Sequence, residues 1–345
     1  MCSRVTIIYN EPIPSRYSAM GEEKAVLGVL DEVTAVHQAL TDLGYEVECI
    51  PLSPPLEQVR GKLKELKTDL VFNLFEGFDG CPETEAMVAN MLSDLGRPYT
   101  GCPGTVLSLA LDKAQTKALL ETNGLVTPRY QVLTLETVSQ FHLSYPCIVK
   151  PCAEDASHGL SEESVVADFA ALEKQVRRIS QLFGGRALAE EFVDGREFNV
   201  TVLGNREPVV LPASEIVYSL PPEKPKILTF SAKWEPDTLY FESSQPVCPA
   251  EIDDETRQRI AQAALGAFKL LDCAGYARVD FRMGSDGVAT IIEVNPNPDI
   301  SPDYGAARQA QAAGMGYAQL VERIVQLALE RARVETKNKT RGRRR

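Results

Sequence analysis

The run "ATIIEVNPNP" (289–298) places a glutamate and an asparagine at the end of an apolar, strand-like stretch. Successive strand side chains alternate faces, so Glu293 and Asn295 share one face. Pro296 and Pro298 end regular pairing just beyond them. Asp280, in "ARVDF", lies one turn upstream, and "GSDG" (284–287) can fold the two strands together. A hairpin would bring Asp280 to the face of Glu293 and Asn295, with Arg278 beside it. Such hard oxygen ligands suit a divalent cation such as Mg2+, which favours octahedral oxygen coordination and usually shares substrate phosphates. Alone, the same residues also describe a polar strand end with a structural ion pair.

Phosphates held by such a cation need counter-charges. Lys113, Lys150 before a polar loop, and Lys233 inside a long irregular segment are the candidates. Each by itself also reads as a solvated surface lysine. No Gly-x-x-x-x-Gly-Lys-Ser/Thr loop occurs, which excludes the P-loop class, and no Gly-x-Gly-x-x-Gly follows the first strand.

The elements that must position these groups follow from periodicity. "RVTIIYN", "YEVECIPL" and "DLVFNLF" read as strands, separated by helical patterns over 30–44 and "PLEQVRGKLKELK". This βαβαβ order predicts a parallel sheet with helices on its faces and ligand-binding loops at the strands' carboxyl ends. The loops "NEPIPSRYSAMGEE" and "EGFDGCPETE" occupy those ends. A second region starts near Ala110, where Asp112 is the predicted N-cap of a helix that Gly124 stops. "YPCIVKPCAEDASHGLSEESVV" reads as strand, polar loop and return, followed by a helix over 169–182. "RALAEEFVDGREFNVTVLGN" reads as two strands joined across the Asp194-Gly195 turn. The irregular stretch from Tyr218 to Ala250 is too long for a connector and predicts a lid. A helix over 253–271, the strands "GYARVDFRM" and "VATIIEVN", and a helix over 316–333 complete the chain.

The 345 residues suffice for two or three subdomains, and the 44% hydrophobic and 24% charged content is ordinary for a soluble globular protein. No apolar run reaches bilayer length and no signal-peptide core is present, so no membrane partner and a cytoplasmic location are expected. The 8 cysteines include no Cys-x-x-Cys pair and only 3 histidines accompany them, which argues against zinc and a disulfide framework. A net charge of −12 argues against bulk nucleic acid, although the terminal "KNKTRGRRR" is basic.

Taken together, "LDKAQTK", "YPCIVKP", "AEEFVDGREFNV", "ARVDF" and "IIEVNPNP" stand in the order and spacing of the ATP-grasp superfamily. Within it the chain resembles the D-alanine–D-alanine ligases over about residues 1–330, and "PYTGCPG" and "LVFNLFEG" resemble their N-terminal half. The resemblance implies an α/β, three-domain ATP-grasp fold with an N-terminal parallel-sheet domain. The expected division is 1–108, a central subdomain 109–185, a C-terminal metal-binding domain 186–333, and a basic disordered tail 334–345. It also implies ATP with Mg2+ (or Mn2+) as cofactors and amino-acid or carboxylate substrates, and it admits a homodimer.

Carried over, Lys113 and Lys150 contact the ATP phosphates and Lys233 reaches the γ-phosphate. Glu190 accepts the adenine amino group with the Phe192 backbone beside it, and Glu197 holds the ribose. Asp280, Glu293 and Asn295 hold the metal, and Arg278 stabilises a tetrahedral intermediate. On the substrate side the pattern breaks. The family's paired serines of the central loop are here "EDASHG", with Ala156 at the first. Its histidine-glycine is Glu76-Gly77, its lid tyrosine is Trp234, and its C-terminal substrate serine is Tyr304. The Ser-Glu motif after the first strand has no clean match, although Glu22 and Glu23 lie nearby. The implied activity is therefore an ATP-dependent carboxylate–amine ligase acting through an acyl phosphate. The alternatives are a D-alanine–D-alanine ligase proper and a catalytically silent ATP-binding regulator.

Overall fold

A computed structural model of the chain describes residues 3–13, 23–78, 81–154 and 157–342. Glu22 and Ala156 lie outside the described residues, as do parts of the loops 11–24, 76–85 and 154–159.

The N-terminal third builds β1 (Arg4–Asn10), α1 (Glu23–Asp42), β2 (Glu46–Leu52), α2 (Leu56–Glu65), β3 (Leu70–Leu74) and α3 (Thr84–Asp94). β1 pairs in parallel with both β2 and β3, giving the expected sheet in the order β2-β1-β3. β3 is buried along its whole length, as a strand covered on both faces must be. The helix α1 starts seven residues before the position read from the sequence, because Glu23 to Gly28 lacks any helix breaker before Gly28.

Next come α4 (Gly104–Leu111), α5 (Lys113–Thr122), β4 (Tyr130–Leu133), β5 (Cys147–Pro151), β6 (Val165–Val166), α6 (Phe169–Phe183) and β7 (Ala187–Glu191). Asp112 caps α5 as predicted, accepting hydrogen bonds from the amides of Ala114 and Gln115 at 3.1 Å each. These strands form a four-stranded sheet in the order β4-β7-β5-β6, with the amphipathic α6 against it.

The last sheet holds β8 (Arg196–Gly204), β9 (Val209–Val210), β10 (Ser214–Tyr218), β11 (Ser244–Val247), β12 (Gly275–Met283) and β13 (Ala289–Asn295), with order β11-β10-β8-β12-β13 and β9 on β8. Between β10 and β11 lie α7 (Phe230–Trp234) and α8 (Leu239–Glu242), so the segment read as an irregular lid contains two short helices. Then follow α9 (Asp254–Leu270), packed on this sheet, α10 (Gly305–Ala312) and α11 (Tyr317–Gly342).

Three sequence expectations change. β7 and β8 are not a hairpin: β7 pairs with β4 and β5, while β8 pairs with β10 and β12. The Asp194-Gly195 turn therefore carries the chain from one sheet to another. The four-stranded sheet accordingly extends past residue 185, through Glu191. The stretch 334–342, read as disordered, continues α11 to Gly342, because no helix breaker interrupts it before that glycine. α11 also packs back onto the N-terminal core: Val321, Ile324 and Val325 share a buried cluster with Val5, Ile7 and Phe72. Arg331 ties it to the chain after β3, donating to the carbonyls of Gly101 at 2.6 Å and Tyr99 at 2.7 Å.

Candidate active site

A cleft of about 990 Å³ lies between the carboxyl ends of the N-terminal strands, the four-stranded sheet and the lid helices. All ten residues singled out in the sequence line it: Lys113, Lys150, Glu190, Phe192, Glu197, Lys233, Arg278, Asp280, Glu293 and Asn295.

Its floor is the β12–β13 ladder. Asp280 is paired with Glu293 and Arg278 with Asn295, so the hairpin inferred from "GSDG" forms and the four side chains share a face. A bulge follows Asp280. Arg278 grips Asp280 with a two-pronged contact, Nε to Oδ1 at 2.7 Å and Nη2 to Oδ2 at 2.9 Å. Lys113, first residue of α5, reaches Glu293 Oε1 at 2.8 Å and also donates to the Glu154 carbonyl at 2.6 Å. Burial alone would raise the Glu293 carboxyl, but Lys113, Lys150 and Arg278 outweigh it and bring it down to about 2. Asn295 turns its Oδ1 to the amide of Asn297 at 2.9 Å. Asp280, Glu293 and Asn295 present oxygen donors on one face, a chemistry that fits a hard divalent cation.

Glu190, the residue expected at an adenine amino group, lies in the cleft wall. It is 1% exposed, and its carboxylate meets Lys117 at 2.9 Å and Lys150 at 3.1 Å. In this structure it holds the two lysines. Lys117, which the sequence reading passed over, is equally buried and donates to Thr127 Oγ1 at 2.7 Å. Burial pulls the Lys117 ammonium down to about 8, with Glu190 acting against that pull. Its place four residues after Lys113, on the same helix face, was the available signal.

Glu197 accepts from Tyr218 and from Arg282, each at 2.8 Å. Burial raises its carboxyl and these two partners offset only part of that. Arg282, also missed, donates to the carbonyls of Val193 at 2.7 Å and Lys226 at 2.7 Å. It fastens the inter-sheet crossing and the lid segment to the β12 ladder. The period-2 spacing Arg278, Asp280, Arg282 already placed it on the cleft face.

The lid is in contact with the cleft. Thr229 caps α7, accepting from the Ala232 amide at 3.1 Å, and α7 carries Lys233. Burial lowers the Lys233 ammonium, and Arg278 lowers it further. The polar loop after β5 touches the same segment: Ser157 Oγ donates to Leu228 O at 3.1 Å and the Phe230 amide to Leu160 O at 3.2 Å. Trp234 packs against Tyr304, ring centroids 6.3 Å apart, and over Gly28 of α1. Glu76 and Asp303 also line the cleft.

Residues 119–326 match the family model described as D-ala D-ala ligase C-terminus. A D-alanine–D-alanine ligase of Desulforudis audaxviator is 33% identical over 86% of this chain and 92% of its own length. The chain belongs to the D-alanine–D-alanine ligase family. This ligase is an ATP-grasp enzyme that forms C–N bonds. It is also 34% identical to an uncharacterised protein of Sinorhizobium fredii, over 76% of this chain and 75% of that one. In fold, the ligase resembles the D-alanine–D-alanine ligase of Bacillus anthracis complexed with ATP, at a TM-score of 0.72 and 21% identity over 97% and 99% of the two chains. It resembles the VanG D-Ala:D-Ser ligase of Enterococcus faecalis at 0.74 and 19%, over 95% and 100%. Among the described residues no helix of the ligase is long and apolar enough to cross a membrane.

Proposed function

We propose that this ligase activates a carboxylate with ATP and joins it to an amine, releasing ADP and phosphate. The single observation that carries the reading is the facing pair Asp280 and Glu293, with Arg278 and Lys113 on them, on the floor of one cleft. A silent ATP-binding module would need the lysines but not this whole set.

In the proposed cycle Lys113, Lys150 and Lys233 neutralise the ATP phosphates while a substrate carboxylate oxygen attacks the γ-phosphorus. Asp280, Glu293 and Asn295 hold Mg2+ (or Mn2+), which when bound supplies charge neutralisation at the transferring phosphate. Phe192 and Glu197 bound the nucleoside end, with Tyr218 and Arg282 fixing the Glu197 carboxylate. The acyl phosphate forms with loss of ADP, and α7 shields it from water until the amine attacks. Arg278 then offsets the negative charge of the tetrahedral species, which collapses with loss of phosphate and an amine proton.

The substrate pair differs from two D-alanines in this proposal. Trp234 and Tyr304 fill space where the family carries a smaller lid ring and a serine, and Glu76 and Asp303 add negative charge to the cleft. A D-alanine–D-alanine ligase proper is the second reading, supported by the curated relative's activity. The proposal includes three units, divided near residue 108 and just after Glu191, where the four-stranded sheet ends, together with a cytoplasmic location and a homodimeric state. A screen of amino acids and small acids for ADP formation with ATP and Mg2+ tests it. Substrate-dependent ADP release supports the ligase, and ADP release from no substrate overturns it.

A further inference from the structure

Arg308 is the fourth residue of α10, and its amide closes a helical turn onto the carbonyl of Tyr304 at 3.0 Å. Both residues line the cleft, as do Arg278 and Arg282. The other two arginines are paired with carboxylates, Arg278 with Asp280 at 2.7 Å and Arg282 with Glu197 at 2.8 Å. Arg308 makes no such pair among the described residues. Its Nη1 donates to the backbone carbonyl of Asp303, and its Nε is buried with no hydrogen-bond partner among the described residues. Burial pushes the guanidinium below its ordinary value, and Cys248, Asp303 and Tyr304 do not offset the push. A guanidinium nevertheless stays charged at any physiological pH. The cleft thus holds a half-buried permanent cation that no carboxylate among the described residues pairs with.

The phosphate side of the cleft already has its cations, with Lys113 on Glu293 and Lys150 on Glu190. α10 is a different element. It begins against the β12 ladder, where a Cβ on Gly305 would lie 3.9 Å from Arg278 Cδ. Arg308 stands one turn along from there, beside the Tyr304 ring. A planar donor edge matches a two-oxygen planar anion better than a phosphate already served by lysines.

We infer that Arg308 binds the carboxylate of the amino acid that supplies the amine, orienting its amino group for attack. This assignment rests on the ligase reading above. It makes Arg308 a specificity-determining residue: an amine without a negative group leaves its donor edge unfilled and is rejected.

The test is a competition. The wild type, R308M and R308K are given ATP, Mg2+ and equimolar mixtures of D-alanine, D-serine or L-alanine, each with its own primary amide. Mass spectrometry reads the ratio of dipeptide acid to dipeptide amide, which partial loss of folded enzyme does not change. In the wild type the acid product should dominate. In R308M the ratio should fall about 10- to 100-fold, the worth of hydrogen bonds to a charged group, with KM for ATP within about twofold of wild type. R308K should restore part of the preference. An unchanged ratio in R308M overturns the assignment, and so does a KM for ATP that rises in its place, which would put Arg308 on the nucleotide. If the wild type yields neither dipeptide nor ADP with these three amino acids or with any amino acid of the screen above, the ligase reading fails and this assignment falls with it.

Discussion

Asp280 and Glu293 face each other across the β12–β13 ladder, yet each is neutralised from a different part of the chain. Arg278, two residues away on the same strand, holds Asp280, and Lys113 at the start of α5 holds Glu293. Facing carboxylates on adjacent strands would repel if left bare. Here the repulsion is removed by two cations that a phosphate-bearing substrate can also engage, so the floor of the cleft is set for exchange of partners.

Replacing either carboxylate by its amide should therefore remove turnover and spare the fold. Asp280→Asn and Glu293→Gln are each expected to lose at least ~100-fold in kcat, the scale for deleting a group aimed at developing charge. Their circular dichroism spectra should match wild type. Arg278→Ala should lower kcat with little change in KM for ATP. Steady-state kinetics check all three, and wild-type turnover in either carboxylate variant would remove the pair from the mechanism.

Lys117 gives a pH signature. Its folded-state pKa of about 8 lies below the ordinary 10.5, so between these values the unfolded chain binds the proton and the folded chain does not. Folding is then favoured increasingly as pH rises through that window, and the contribution is lost as pH falls to 8. Urea unfolding at pH 8 and pH 10 should show the wild type gaining stability on Lys117→Met as pH rises. An identical pH slope in the two proteins would mean that Lys117 titrates normally.

The sequence contains one tryptophan, Trp234, at the end of the lid helix α7. A Cβ on Gly28 would come within 3.0 Å of its indole ring, so Gly28 is the socket that lets the lid close on α1. Gly28→Ala is expected to displace the ring and weaken closure. Tryptophan emission and hydrogen exchange over 228–234 should change on adding an ATP analogue with Mg2+ in the wild type, and less in Gly28→Ala. Identical protection with and without nucleotide would rule out a moving lid.

D-alanine alone is expected to be a poor substrate, because Tyr304 and Trp234 narrow the amino-acid end of the cleft while Glu76 and Asp303 make it more negative. Another amino-bearing substrate should release ADP faster. Efficient formation of D-alanyl-D-alanine would return the enzyme to the ordinary activity of its named relatives.

Local pattern carried a large part of this protein. The alternation in "ARVDF" and "IIEVN" fixed which side chains share a face, because strand geometry has a period of two whatever the fold. Asp112 as a cap, the βαβαβ order and the β12–β13 hairpin were legible for the same reason: each depends on neighbours a few residues away. Tertiary structure decided the rest. The turn at Asp194-Gly195 looks the same in sequence whether it closes a hairpin or passes between sheets, and only the partners of β7 and β8 settle it. The fate of each charge was equally hidden. Glu190 lies 73 positions from Lys117 and 40 from Lys150 in the numbering, and only the packing of α5 beside the four-stranded sheet brings the three together. Arg308 is one more surface-like arginine in the sequence. Its half-burial beside Tyr304, with no carboxylate paired to it among the described residues, is a property of the assembled cleft, because a charge's partner is set by which elements meet and not by which residues adjoin it.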